Sequence, residues 1–428
     1  MARVIGPVTV IRTAALLVCS AAVAGLVFAA SSYASIRWVG PDYYGINFQQ
    51  LRALGPKARA KHIRRMAKLG IHQVRVAISW PRVEPNPPLN GVHDYQWEAI
   101  DHEIAALARR RITAQLNITQ TPSWNAPQSV FVNLKCPRRQ ASSRAPIAIE
   151  PYDELARAAA SRYGSGGTFW SDHPALPAVP VTTYEIWNEP SLRGSWCPEP
   201  QPDVYADMFV GAARAIHRVD REAAVLTGGM APPTGGDPRR GMDLASFFAQ
   251  AIARKPGLPR LADGVAVHVY TPAKPGAILD RVAWFRHQLT LGGIPKSLPM
   301  LINEIGWPTK GGVRSGLLGL GMDSAPIVPE KKRAKAYRAA TLKIPRSNCN
   351  VMGILPQAWT SAERDATDSE DWFGIANPTT AKPYPSARAY SKSLRRMRGE
   401  RRTPPPRKGL RVCSGIPVPN PERLRAGR

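Results

Sequence analysis

Between Pro41 and Tyr390, short apolar or alternating runs are interleaved with longer stretches whose apolar positions recur every three or four residues. The short runs predict strands at 43–48, 73–80, 113–119, 181–188, 224–229, 264–270, 300–305 and 351–360. The longer stretches predict helices at 57–69, 95–111, 152–163, 203–219, 243–253, 277–291, 329–342 and 386–396. Trp97, Ile100, Ile104 and Leu107, for example, fall on one helical face. A strand followed by a helix, repeated eight times, predicts a parallel (β/α)8 barrel over 41–395, because each parallel crossover needs a helix. An open doubly wound sheet is the structural alternative. It calls for a Gly-rich phosphate turn after the first strand, and Tyr44-Gly45-Ile46-Asn47-Phe48-Gln49 is not one. Gly316-Leu317-Leu318-Gly319-Leu320-Gly321 has the wrong glycine order for that turn and reads as a flexible loop.

The ends read differently from the middle. Arg3 and Arg12 precede an uncharged, mostly apolar run at 13–30, and Ser32-Tyr33-Ala34 offers a small-residue cleavage site. Residues 1–34 are therefore expected to be a signal peptide or a membrane anchor, either of which puts the rest outside the cytoplasm, secreted or on the outer face of the membrane. Residues 396–428 form a basic, Pro-rich tail that buries little apolar surface. This tail is expected either to be solvated or to adhere to a polyanionic cell-surface polymer.

Charge and cysteines narrow the classes. The 428 residues carry 58 Lys and Arg against 31 Asp and Glu, a formal charge of +27. No zinc finger, RNP-like strand or base-reading helix accompanies that charge, so nucleic-acid binding is not expected. None of the five cysteines is spaced C-x-x-C, which excludes a zinc ribbon or a thioredoxin-type site. Cys19 lies in the apolar run. The other four permit three pairings. Cys136 and Cys197 follow predicted strands three and four at the same end of the barrel, and Cys349 precedes strand eight at the opposite end, where a returning tail would bring Cys413. This layout favours Cys136–Cys197 and Cys349–Cys413.

Barrel chemistry collects at the carboxyl ends of the strands. Those ends present Arg75, Asn117, Asn188, Glu189, His268, Tyr270, Glu304, Gln357 and Trp359. On strand seven, alternation puts Met300, Ile302 and Glu304 on one face. Glu189 and Glu304 end strands four and seven and supply two carboxyl groups, the minimum equipment for glycoside hydrolysis. Arg75 is expected to keep Glu304 ionised, or else to pair with a core carboxylate such as Glu185. Partial burial beside a second negative group favours a proton on Glu189. Asn188 is a candidate for the sugar 2-hydroxyl, and Trp359 and Trp124 for flat faces against sugar rings. His102-Glu103 lacks a second histidine four residues after His102, so no zinc-protease motif is present.

Tyr184-Glu185-Ile186-Trp187-Asn188-Glu189-Pro190 resembles the acid/base motif of glycoside hydrolase clan A, the retaining (β/α)8 glycosidases. Ile302-Asn303-Glu304-Ile305-Gly306-Trp307 resembles the clan's nucleophile strand. Val74-Arg75-Val76, Thr121-Pro122-Ser123-Trp124, His268-Val269-Tyr270 and Ala358-Trp359-Thr360 fall in the clan's order, and families 39 and 5 are the most similar. The resemblance implies double displacement, with Glu304 as nucleophile, Glu189 as acid and then base, Tyr270 against the nucleophile, Trp359 as a platform, and no metal or organic cofactor. The expected partner is an extracellular polysaccharide or glycoside. A non-catalytic glycan-binding barrel and a wall-remodelling transglycosylase are the alternatives.

Overall fold

The computed structural model describes residues 44–128, 136, 142–233, 236–311, 326–399 and 413. The apolar run at 13–30, the glycine loop at 316–321 and most of the basic tail lie outside them.

Eight parallel strands follow one another in sequence order: β1 (Gly45–Asn47), β2 (Gln73–Ser79), β3 (Thr113–Thr119), β4 (Thr183–Asn188), β5 (Ala224–Met230), β6 (Gly264–His268), β7 (Met300–Ile305) and β8 (Val351–Pro356). A parallel bridge between Tyr44 and Ile354 joins the first strand to the last and closes the barrel. Eight helices return the chain: α1 (Pro56–Leu69), α2 (Glu98–Ala108), α3 (Glu150–Tyr163), α4 (Pro202–Val219), α5 (Leu244–Arg254), α6 (Pro275–Leu291), α7 (Glu330–Lys343) and α8 (Pro385–Gly399).

Local chemistry sets many of these boundaries. Proline in the first turn opens α1, α4 and α6, where its missing N–H is no loss. Gly70, at φ 82°, ends α1 in the left-handed region that a side chain disfavours. The Asp243 carboxylate accepts the Ser246 amide at 2.9 Å and caps α5. Strand eight is shorter than the 351–360 expected: past Pro356 the chain turns toward β1, and the Trp359 amide donates to the Asn47 carbonyl at 2.8 Å.

Two apolar layers result. The larger lies between sheet and helices. A small separate cluster, Leu226, Ala266, Leu301 and Leu355, comes from four neighbouring strands and fills part of the barrel interior. Its membership corrects the expected facing of β7. Leu301 is inside, while Met300 and Ile302 belong to the helix-facing layer.

Both predicted disulfides are present, Cys136–Cys197 and Cys349–Cys413. Among the described residues, no helix is long and apolar enough to cross a membrane.

Candidate active site

If simple alternation held, Glu304 would follow Met300 and Ile302 toward the helices. A bulge prevents this. Val267 pairs with Ile302, but the next residue of β6, His268, pairs with Glu304. Asn303 is the extra residue, and the bulge turns Glu304 inward. On β4 a different device acts. Glu185 lies inside the barrel, bonded to Arg75 and Gln115. Trp187 then adopts φ 72° and Glu189 φ 49°, the sparsely populated left-handed region. Asn117 Nδ2 donates to the Trp187 carbonyl at 2.7 Å, and the Trp187 indole donates to the Ser195 carbonyl at 2.8 Å, which hold the turn. Trp187 thus packs among Tyr152 and Trp196, and Asn188 turns back to Arg75.

The two breaks in alternation bring the carboxylates together. An oxygen of Glu189, a ring nitrogen of His268 and an oxygen of Glu304 all lie within 4.8 Å of one another. His268 Nδ1 meets Glu189 Oε1 at 2.7 Å, and its Nε2 lies 3.5 Å from Glu304 Oε1. Burial alone would lower the His268 pKa, but the Glu304 charge and the bond to Glu189 outweigh it and raise the value above 6.5. The Tyr270 hydroxyl donates to Glu304 Oε2 at 2.6 Å, and Arg75 Nη1 donates to Glu304 Oε1 at 2.9 Å. Each oxygen of Glu304 therefore has its own donor. Glu189 is held by His268 on one oxygen and by the Ser195 hydroxyl, at 3.2 Å, on the other.

Arg75 contacts both Glu304 and the core carboxylate Glu185. Nε and Nη2 fork onto Glu185 at 2.7 and 2.9 Å, while Nη1 reaches Glu304 and Asn47 Oδ1 and Nη2 also reaches Asn188 Oδ1 at 2.7 Å. Burial opposes its charge, but Glu185 and Glu304 overcome that and hold the guanidinium protonated. Burial raises Tyr270 well above the ordinary phenol range, with the Glu304 charge next, so it remains a donor. Glu189, His268 and Glu304 have donor atoms close enough to hold a cation, but the fixed charge of Arg75 on Glu304 opposes one there.

Trp359 is a correction. Trp359 is fully buried, its indole donating to His62 Nδ1 on α1 at 2.9 Å, so it presents no face to a ligand. Beside it, Gln357 at the end of β8 keeps a buried amide oxygen without a partner. Trp124 is half-buried, edge-on to Trp80, and its indole donates to the Glu84 carbonyl at 3.1 Å. Trp196 and Trp307 are buried packing residues.

Sequence reasoning missed Asn47, whose amide donates to the Asn303 carbonyl beside the bulge, and Ser195. It also missed Glu370. This side chain reaches solvent, yet the surrounding protein and then the charges of Glu304, Asp368 and Glu189 push its carboxyl up to about 8. The acids at 363–371 in so basic a chain were the available signal.

No family profile and no curated protein matches the sequence. Solved structures do. A family 39 glycoside hydrolase from Bacteroides cellulosilyticus WH2 superposes with a TM-score of 0.54 at 14% identity, over 84% of this chain and 64% of that one. The chain thus spans less than two thirds of that protein's length. A monomeric β-xylosidase from Caulobacter crescentus CB15 gives 0.55 at 18% identity, over 83% and 69%. A family 5 (subfamily 18) protein from Streptomyces cattleya, solved in complex with GlcNAc, gives 0.58 at 18% identity, over 87% and 83%. The structural neighbours of this (β/α)8 barrel are therefore glycoside hydrolases of families 39 and 5, both of clan A, and the fold is what it shares with them.

Proposed function

We propose that the protein is a retaining glycoside hydrolase that cleaves an O-glycosidic bond by double displacement. One observation carries the reading: Glu189 and Glu304, 115 residues apart in the chain, place carboxylate oxygens within 4.8 Å of each other. That suits the roughly 5–5.5 Å between carboxyl groups of retaining enzymes better than the about 6.5–9.5 Å of inverting enzymes.

Glu304 attacks the anomeric carbon, its two oxygens oriented by Arg75 and Tyr270. As the glycosidic C–O bond breaks, Glu189 gives its proton to the departing oxygen, and its own O–H bond breaks to leave a carboxylate. His268 shares a hydrogen bond with that carboxylate throughout. Glu189 then takes a proton from water, which attacks the glycosyl ester and frees Glu304. Asn188, held by Arg75 at the end of β4, is the group nearest in kind to a binder of the sugar 2-hydroxyl. Neighbours named as a β-xylosidase and as an exo-β-1,4-mannosidase support a β-linked substrate. The N-terminal apolar run and two disulfides support action outside the cytoplasm, on a polysaccharide or glycoside there.

The test is turnover of a panel of aryl β-glycosides by the wild type, Glu304→Ala and Glu189→Ala. Each variant should lose about 10²–10⁴-fold or more in kcat. Azide should restore rate to Glu189→Ala alone, and NMR should show the first-formed anomer with retained configuration. Wild-type rates in either variant, or an inverted product, would overturn the proposal.

A further inference from the structure

The excess positive charge is not spread evenly over the helices. Helix α1 holds Lys61, Arg64, Arg65 and Lys68 at the spacing of a single face and has no acidic residue. Among the described residues none of these four has an ion-pair partner. Helix α8 likewise has no acid and exposes Lys392 and Arg395. It docks on α1, the Ser391 hydroxyl donating to the Leu69 carbonyl at 2.8 Å. By contrast α2 has Glu98, Asp101 and Glu103 and no Lys or Arg.

Between α1 and α2 lies a groove of about 1020 Å³. It runs along α2 from Glu98 to Arg110, about 18 Å at the rise of a helix. Ile63 and Ala105 are on its floor, Tyr95 and Trp97 on its wall, and exposed Arg109 and Arg110 at its lower end. Arg59 and Arg162 also line it but are engaged, the first by the Leu54 carbonyl at 2.9 Å and the second by Asp101 at 2.5 Å. The groove's upper end is formed by residues 53–56, which follow β1, and by Tyr95 and Trp97, which precede α2. These belong to the end of the barrel that carries Glu189 and Glu304.

We propose that this groove and the cationic face of α1 beside it are a second, non-catalytic binding site for a linear polysaccharide bearing carboxylates. Three features specify that ligand. The shape is an elongated concavity, suited to a chain. The chemistry is Arg109 and Arg110 at the groove's lower end and two aromatic side chains at its upper end, with Lys61, Arg64, Arg65 and Lys68 lining a separate hollow on α1. Together these outnumber Glu98 and the paired Asp101 in the groove and suit anionic sugar rings. The position leads a chain leaving the upper end toward the rim of the catalytic mouth. A bilayer fits poorly, because none of the large exposed apolar side chains lies on α1, on α8 or in the groove. The choice of a polysaccharide over another polyanion rests on the glycosidase reading.

The experiment is calorimetric binding of polygalacturonate to the full chain at two salt concentrations, with Glu304→Gln in every arm so that no turnover intervenes. Lys61→Glu/Arg64→Glu/Arg65→Glu/Lys68→Glu, all on the surface, should weaken binding by roughly a hundredfold. Arg109→Ala/Arg110→Ala should weaken it by about tenfold. Arg214→Glu/Arg218→Glu/Arg221→Glu/Arg239→Glu makes the same change of net charge elsewhere and should leave binding within about threefold. Affinity should fall with salt, and fully methyl-esterified polymer should not bind. Equal loss in both charge-reversed proteins, binding of the ester, or equal or tighter binding of single-stranded DNA or phosphatidylglycerol vesicles would overturn the site. Polygalacturonate binding by a protein inactive on every glycoside would sink the glycosidase reading instead, and hydrolysis without such binding would sink only the groove.

Discussion

His268 occupies the space that a side chain at position 229 would need. A Cβ added to Gly229 would lie 2.0 Å from His268 Nε2. The same glycine's amide donates to Glu185 Oε1 at 2.8 Å, and its carbonyl accepts the Glu189 amide at 3.0 Å. One residue of β5 thus sets the height of β4's carboxyl end and leaves room for the imidazole between the two carboxylates. Gly229→Ala is expected to displace the imidazole and cut kcat by about a hundredfold, the cost of misplacement on the ångström scale. Kinetics on the best aryl glycoside, with circular dichroism to establish folding, measures this. An alanine variant with wild-type kcat would mean that the imidazole's position is unimportant.

Arg75 is the sole base joining Glu185, Glu304 and Asn188 in the hydrogen bonds described above, and all of it is buried. Arg75→Met leaves two buried carboxylates without their counter-charge and should cost about 3–5 kcal/mol of stability as well as activity. Arg75→Lys restores one positive charge but not the fork, so it should recover stability in part and activity little. Urea unfolding of the three proteins gives the comparison.

His268 has its folded-state pKa raised above 6.5, first against the effect of burial and then by Glu304 and Glu189. A raised histidine stabilises the fold fully below its unfolded value and loses that contribution as pH rises through its folded value. Stability should therefore decline from about pH 6.5 upward, and His268→Asn should flatten that limb. Thermal denaturation between about pH 5 and 9 reads it. The same slope in both proteins would assign the effect to other groups.

The two disulfides close loops of similar length, with sequence separations of 61 and 64. Chain entropy gives each a stabilisation of about 4 kcal/mol. Their effects on catalysis should differ. Cys197 follows Ser195, which holds Glu189, and its amide donates to the Ser143 carbonyl at 2.9 Å. Cys136→Ser/Cys197→Ser should lower both melting temperature and kcat. Cys349→Ser/Cys413→Ser, at the other end of β8, should lower melting temperature with kcat unchanged per folded molecule. Equal losses of kcat would remove the distinction.

Strand positions were legible because they rest on local patterns. β3 begins and ends where its apolar alternation does, and β7 where its apolar run does. The acid pair was legible because each glutamate closes a recognisable strand, and Tyr270 and Arg75 follow from the same logic. Trp359 misled because its strand leaves the ladder at Pro356, so its facing could not be counted along an unbroken pleat. Asn47 and Ser195 carry no motif. Their roles arise from contacts 256 residues apart in one case and from a turn of the chain in the other.

The order of apolar and polar residues by itself determined an eightfold alternation of strands and helices and placed two glutamates, Glu189 and Glu304, at strand carboxyl ends. Backbone periodicity and turn chemistry are short-range, so a one-dimensional string records them. The tertiary structure decided the facing of those glutamates. A bulge at Asn303 and left-handed residues at Trp187 and Glu189 override the period of two, and such departures are sustained by distant partners: Asn47 under the bulge, Asn117 on the Trp187 carbonyl, Gly229 beneath Glu189. A local sequence cannot specify them, because their energy is supplied by neighbours that only the closed barrel brings near.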